Sequence, residues 1–229
     1  MAEPWDVKDD EIMMFVDATK CIGCRACQVA CKQWHSLAAE TTVFEGEYTN
    51  PPDYSGSTFT YVKFTEFERR NRLNFLFFKN QCRHCVRPKC QEACPKGVER
   101  TREGFVIFTE DCTPENLRSD IEAACPFNVP KFNGTKYVKC DFCIDRFGGY
   151  YTTYRDGKPT TACELTCPPG AIVTGKAADI SEFVTRRFAE VRRDNPYASI
   201  YSGNYGRTHV IYLLAEKASS YGLEAPEAP

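Results

Sequence analysis

Cys21-Ile22-Gly23-Cys24-Arg25-Ala26-Cys27-Gln28-Val29-Ala30-Cys31 places four thiols at intervals of three, three and four residues. Packing does not call for such a run, and neither does a disulfide framework. Small secreted scaffolds spread cysteines through short chains, whereas clustered CxxC groups in a chain of 229 residues favour metal ligation. Further groups follow: Cys82, Cys85, Cys90 and Cys94 before Pro95, then Cys140, Cys143, Cys163 and Cys167 before Pro168. Cys112, and Cys125 before Pro126, complete the fourteen cysteines.

Four thiolates, soft and anionic, hold one [4Fe-4S] cube. The first run is similar to the bacterial-ferredoxin pattern, in which three cysteines surround one cluster and the fourth leaves on a helix to ligate another. If the thiols cross over here in the same way, Cys21, Cys24, Cys27 and Cys167 share a first cluster. Cys31, Cys140, Cys143 and Cys163 then share a second. In the middle of the chain, ferredoxin spacings counted back from Cys125 fall on Ile121, Arg118 and Glu115, so a complete fourth site is missing. Cys125 then crosses over to Cys82, Cys85 and Cys90 as the third site, and Cys94 and Cys112 are left without iron. A rival assignment closes the third site with Cys94 and frees Cys125. Whether Cys94 and Cys112 are free thiols or bonded to each other stays open in the sequence.

Composition narrows the function further. Hydrophobic residues make up 42% and charged residues 26%, as in a soluble globular protein, and a net charge of −2 offers no footprint for nucleic acid. Residues 1–6 have neither a basic opening nor an apolar run, so no signal peptide is expected there. No apolar stretch approaches the ~20 residues needed to cross a bilayer, the best being residues 209–215. Serine elbow, phosphate loop, dinucleotide fingerprint and carboxylate constellation are all unrecognisable, which points to a chain without catalysis of its own. Structural zinc is the alternative chemistry for CxxC pairs, but zinc does not require a CxxCxxCxxxC run ending in a helix.

The pattern of short strands leading into thiol loops repeats along the chain. Apolar or alternating runs at residues 12–16, 58–67, 73–78, 104–108, 136–139 and 209–214 read as strands, and residues 32–39 as a continuation of the helix after Cys31. Residues 48–57 read as a loop. Ile180, Phe183, Val184, Phe188 and Val191 recur at helical spacing, with Asp179 and Glu182 as an expected capping pair and Pro196 as the stop. Residues 222–229 read as a frayed tail. The fold class expected is α+β: two ferredoxin-like cluster-binding units with insertions and a C-terminal helical and extended tail. Residues 12–40 with 134–176 form the first unit, 41–80 an insertion with strands, 81–133 the second and partly degenerate unit, and 177–229 a tail for subunit docking.

Several charged residues flank the cysteines. Lys20, Arg25, Arg83, Lys89, Lys96 and Lys139 could stabilise reduced, more negative clusters, although a solvated surface position is the simpler reading of each. His84, between two cysteines, reads as an ordinary polar loop residue rather than a proton acceptor coupled to electron uptake. Trp34 and His35 read as packing residues.

These cysteine groups resemble the iron-sulfur electron-transfer subunits that accompany molybdenum or tungsten enzymes of the dimethyl-sulfoxide-reductase superfamily, over residues 15 to about 214. Residues 27–34, 50–53 and 81–86, together with the reduced group at Ala124-Cys125-Pro126, look most like the small β subunit of soluble formate dehydrogenases from sulfate-reducing bacteria. The resemblance implies three [4Fe-4S] clusters and a heterodimer whose large subunit holds a bis-pterin molybdenum or tungsten centre. That subunit would oxidise formate or reduce CO2. This chain would pass electrons between it and an external carrier such as a multihaem cytochrome c. The resemblance also implies a periplasmic location, reached by co-export with the catalytic subunit, with the cytoplasm as the alternative. A subunit of another enzyme of that superfamily and a free-standing polyferredoxin are the competing functions.

Overall fold

The computed structural model describes residues 7–69, 71–147, 154–155, 157–202 and 208–223. Most of the tail expected at residues 222–229 lies outside the described residues. From the N-terminus, β1 (Ile12–Asp17) runs into the first cysteine loop and α1 (Ala26–Trp34) leaves it. β2 (Tyr61–Arg69) and β3 (Arg72–Asn80) form a long antiparallel hairpin. The middle of the chain holds α2 (Lys89–Ala93), the hairpin of β4 (Val98–Arg100) and β5 (Val106–Phe108), and α3 (Ile121–Ala124). Two small hairpins follow, β6 (Lys131–Phe132) with β7 (Tyr137–Val138) and β8 (Tyr154–Arg155) with β9 (Lys158–Pro159). The chain then adds α4 (Ala162–Leu165), β10 (Ile172–Lys176), α5 (Ala177–Asp194), β11 (Ser199–Tyr201) and β12 (Val210–Leu214). Small sheets with few helices make this a mixed α and β protein, as the sequence suggests. Among the described residues no helix is long and apolar enough to cross a membrane.

One four-stranded sheet, ordered β10-β1-β12-β11, divides the molecule into two layers. β1 runs antiparallel to β10 and parallel to β12, with Phe15 opposite both Val173 and Ile211. Side chains alternate between the faces of a strand, so each strand feeds both layers. Met13, Phe15, Ile211 and Leu213 meet Ala177, Ile180 and Val184 of α5 on one face. Met14, Val16, Val210, Tyr212 and Leu214 point the other way, into a core shared with Cys27, Cys163 and Cys167. A strand covered on both sides must be apolar throughout, which is why β12 is buried along its whole length. The C-terminal stretch thus supplies a middle strand of the sheet and the helix that covers it.

Two helix boundaries differ from the sequence expectation. The helix after Cys31 stops at Trp34 instead of continuing toward residue 39. Ser36 takes a left-handed conformation (φ 52°), with its N–H facing the Gln33 carbonyl and the Leu37 N–H reaching the Lys32 carbonyl at 2.9 Å. This arrangement closes a helix and satisfies its last carbonyls. α5 begins at Ala177, two residues before Asp179, and no side chain caps it. Its first amides donate instead to the carbonyls of Glu11 (2.8 Å) and Asp9 (3.3 Å), so a tertiary contact replaces the expected pairing of Asp179 with Glu182.

Candidate iron-sulfur sites

The first thiol quartet forms where β1, α1 and the start of β10 converge. Cys27 and Cys31 lie four residues apart on α1, on its buried side. Cys21, Cys24, Cys27 and Cys167 line one cavity with about 380 Å³ of empty space, walled by Val16, Val62 and Ile172. Burial pushes the Cys27 thiol up to about 12; Lys79 opposes this, and Cys163, Cys21 and Cys167 add to it. The Ala171 N–H points at Cys167 Sγ from 3.3 Å.

The second quartet is built around Cys31, one turn further along α1, which packs against α4. Burial raises the Cys31 thiol well above its ordinary range, and the sulfurs of Cys140 and Cys163 reinforce the shift. Cys143 behaves alike, raised by burial and then by Cys163, Asp141 and Cys140. Thr161 caps α4, accepting the Glu164 N–H at 3.2 Å, and its hydroxyl lies 3.3 Å from Cys163 Sγ. His35, expected only to pack, links this group to its surroundings. Its Nε2 lies 2.9 Å from Asp141 Oδ1 and its Nδ1 3.0 Å from the Cys31 carbonyl oxygen. The carboxylate offsets the cost of burial and raises the pKa of this imidazole.

The third quartet is Cys82, Cys85, Cys90 and Cys125, which line a second cavity with about 350 Å³ of empty space together with Phe127, Val129 and Lys139. Burial raises Cys85, and Cys82, Cys125 and Cys90 raise it further. Cys94 does not line this cavity; it lies in a separate buried cluster with Cys112, Val98 and Ile121, where its thiol points at the Asp111 carbonyl oxygen from 3.9 Å. Ile121, one of the positions where a fourth site would need a thiolate, fills the same core and is fully buried. The backbone of Gly97 packs so closely on Cys112 that a Cβ there would stand 2.3 Å from Cys112 Cα.

All fourteen cysteines are unbridged. The thiols that burial raises, among them Cys27, Cys31, Cys85, Cys140 and Cys143, resist ionising as bare groups, and a metal centre that replaces their protons relieves both burial and mutual repulsion. The donor sets therefore fit [4Fe-4S] clusters, with four soft sulfurs apiece, and the first and third sets each line a cavity.

The flanking charges divide differently from the surface reading. Lys89 and Lys96 are exposed, and Arg25 is half-buried with its guanidinium 4.6 Å from the Phe64 ring. Arg83 is buried, 2% exposed, because its Nη1 donates to Tyr212 Oη (2.5 Å) and the Gln81 carbonyl (2.7 Å) among the Phe78, Phe127 and Tyr212 rings. Lys139 is buried as well, and so is Lys79, which the sequence reading missed. A lysine in a strand normally reads as solvent-facing, and nothing local marks this one. His84 is fully buried rather than an ordinary loop residue. Its Nδ1 accepts the Val106 N–H at 3.0 Å, and burial keeps the ring neutral. Trp34 packs as expected, with Arg146 4.1 Å above its ring and Asp145 accepting its N–H at 3.1 Å.

The chain is similar to known iron-sulfur proteins. A 4Fe-4S dicluster domain matches residues 73–177 and a 4Fe-4S binding domain matches residues 12–33. The formate dehydrogenase subunit beta of Megalodesulfovibrio gigas is 34% identical over 90% of this chain and 95% of its own length. The chain belongs to the iron-sulfur subunits of formate dehydrogenases. A similar match joins this iron-sulfur subunit to that of the nitrate-inducible formate dehydrogenase of Escherichia coli, 34% identical over 92% of this chain and 71% of the relative. Another joins it to the formate dehydrogenase 2 subunit beta (cytochrome c-553) of Nitratidesulfovibrio vulgaris, 33% identical over 90% and 94%. The quartets belong to a 4Fe-4S subunit with an electron-transfer role, and no catalytic constellation is needed to account for them.

Proposed function

We propose that this subunit carries three [4Fe-4S] clusters and relays electrons between the catalytic subunit of a formate dehydrogenase and an external redox carrier. The assignment is Cys21, Cys24, Cys27 and Cys167 for the first cluster, Cys31, Cys140, Cys143 and Cys163 for the second, and Cys82, Cys85, Cys90 and Cys125 for the third. Cys94 and Cys112 are not ligands. The observation that carries this reading is the pairing of Cys125, not Cys94, with Cys82, Cys85 and Cys90 around one cavity.

When bound, the clusters supply one-electron redox sites. The protein's part is to hold the three sites in order along a stiff scaffold: Cys27 and Cys31 of one helix serve adjacent sites, and Lys139 and Cys140, neighbours in sequence, serve the third and second. A rigid cage limits rearrangement on electron transfer, and donors such as the Ala171 N–H favour added negative charge on sulfur.

The partner would be a large subunit with a bis-pterin molybdenum or tungsten centre that oxidises formate or reduces CO2. The carrier would be an external redox protein such as a multihaem cytochrome c; the name of the Nitratidesulfovibrio relative includes a cytochrome c-553. We place the heterodimer in the periplasm, reached by co-export with the catalytic chain. The two-unit organisation, residues 12–40 with 134–176 and residues 81–133, follows from the same ligand assignment, and residues 177–229 would contribute docking surface.

Iron and acid-labile sulfide measured on the purified complex test the assignment. Replacing Cys125 with Ser should remove about four irons of the roughly twelve held by this chain. Unchanged iron in that variant, with loss in Cys94→Ser, would reverse the choice of ligand. Purification of this chain from native cells without a large pterin-containing subunit would favour a free-standing shuttle.

A further inference from the structure

Lys79 and Lys139 are buried cations, 3% and 5% exposed. Neither forms an ion pair with a carboxylate among the described residues. Lys79 Nζ donates to Thr60 Oγ1 at 3.1 Å and to Gln81 Oε1. Lys139 Nζ donates to the Val106 carbonyl at 2.5 Å and to the Cys140 carbonyl at 2.9 Å. Both sets of acceptors are neutral. An ammonium group has three donors, so each lysine keeps one N–H without a hydrogen-bond acceptor in a place where an uncompensated charge is strongly disfavoured, and the Phe108 ring, 4.9 Å from Lys139 Nζ, compensates that lysine only in part.

Sulfur surrounds both groups. Lys79 lines the cavity of the first quartet and acts electrostatically on Cys27 there, and on Cys163 and Cys140 of the second quartet. Lys139 lines the cavity of the third quartet, where it acts on Cys82 and Cys90, and it also acts on Cys140 of the second. Asp141 is the acid that acts on Lys139, and its carboxylate is already engaged by His35. One lysine thus lies at each of the two junctions between successive quartets.

We propose that these lysines are shared inter-site cations: Lys79 sets the reduction potentials of the first and second clusters together, and Lys139 those of the second and third. This inference rests on the three-cluster reading. Moving one electron between neighbouring clusters oxidises one by a single electron and reduces the other by one, with no proton taken up. A fixed positive charge close to both favours the reduced, more negative form on either side. Each lysine therefore raises both of its neighbours together, and the second cluster, which faces both lysines, is raised twice and becomes the most readily reduced of the three.

Redox titrations followed by electron paramagnetic resonance on the purified complex test this, with Cys125→Ser identifying the third cluster's signal. Lys79→Met should lower the first and second potentials together by at least a tenfold change in the reduced-to-oxidised ratio, about 59 mV for one electron, and leave the third in place. Lys139→Met should lower the second and third and spare the first. Lys79→Arg and Lys139→Arg keep the charge and should stay near the wild-type values. With iron intact, a shift confined to one cluster, or none, overturns the proposal. Should a methionine variant lose iron, the arginine variant decides: potentials that fall despite the retained charge overturn it, and potentials that hold support it. Iron content of the wild-type chain separates the two readings, since fewer than three clusters overturns the three-cluster reading and this inference with it. Full iron with unmoved potentials overturns only the inference.

Discussion

His209 Nε2 lies 2.9 Å from Glu11 Oε2, joining residues 198 positions apart at the point where the N-terminal strand meets a middle strand of the sheet. Both side chains are buried, and Arg100 holds the other carboxylate oxygen at 2.7 Å. Burial by itself pushes the Glu11 carboxyl up, but the hydrogen bonds from Arg100, His209 and the Lys8 amide outweigh it and hold the pKa below its ordinary value. A depressed folded-state pKa contributes stability that is present above the unfolded value, about 4.5, and is lost as pH falls through the folded value. Acid unfolding of the wild-type complex should therefore steepen below about pH 4.5, and Glu11→Gln should flatten that limb. His209→Leu removes one of the two donors to Glu11 Oε2, leaving only the Lys8 amide at 3.2 Å, and should cost roughly 1–3 kcal/mol at neutral pH. Denaturant midpoints across pH 3–7 read both effects, and a Glu11→Gln profile parallel to wild type would show that this carboxylate does not contribute.

Gly104 sits directly beneath that contact. Its φ of 91° lies in the region glycine favours, and a Cβ added there would stand 2.2 Å from His209 Nε2. Gly104→Ala should therefore destabilise by at least the ~1 kcal/mol of backbone strain, more once His209 is displaced. Thermal unfolding should show the loss, and a Gly104→Ala midpoint within error of wild type would contradict the close approach.

Cys94 and Cys112 share one buried cluster, and neither lines the third cavity. Cys112→Ser and Cys94→Ser should keep the full iron content while losing roughly 1–3 kcal/mol of stability, the cost of burying a hydroxyl in this apolar cluster. Iron analysis beside chemical denaturation separates this from ligation, because loss of iron in Cys94→Ser would make that residue a ligand.

Much of the site was legible because the demands of a cubic cluster on its ligands are local. CxxC spacing lets a short loop wrap sulfur around a cluster, so Cys21, Cys24 and Cys27 could be grouped from their numbers alone, and the absence of thiolates at Glu115, Arg118 and Ile121 marked the missing fourth site. The strands β1, β3 and β12 and the apolar face of α5 were legible for the same reason: two-residue and 3.6-residue periods are written in neighbouring residues. The stop of α1 at Trp34 was not, since it depends on Ser36 adopting a left-handed conformation that glycine or asparagine usually signals. Nor was the start of α5, where carbonyls of Asp9 and Glu11 do the work of a capping side chain.

Charge was where the sequence was least informative. Arg83, His84 and Lys139 read along the chain as polar residues near the surface and Lys79 drew no reading at all, because a single side chain carries no record of what will surround it. Burying an ammonium or a guanidinium is tolerable only beside compensating dipoles, rings or anions, and those come from segments tens to more than a hundred residues away: Val106 for Lys139, Tyr212 for Arg83, Cys163 for Lys79. Ligand spacing and strand periodicity were thus settled by the amino-acid order itself, through geometry that spans a few residues. Which strands became neighbours, and which cations were enclosed among sulfurs, was decided only by the folded chain, because low-dielectric surroundings are a property of the assembled core.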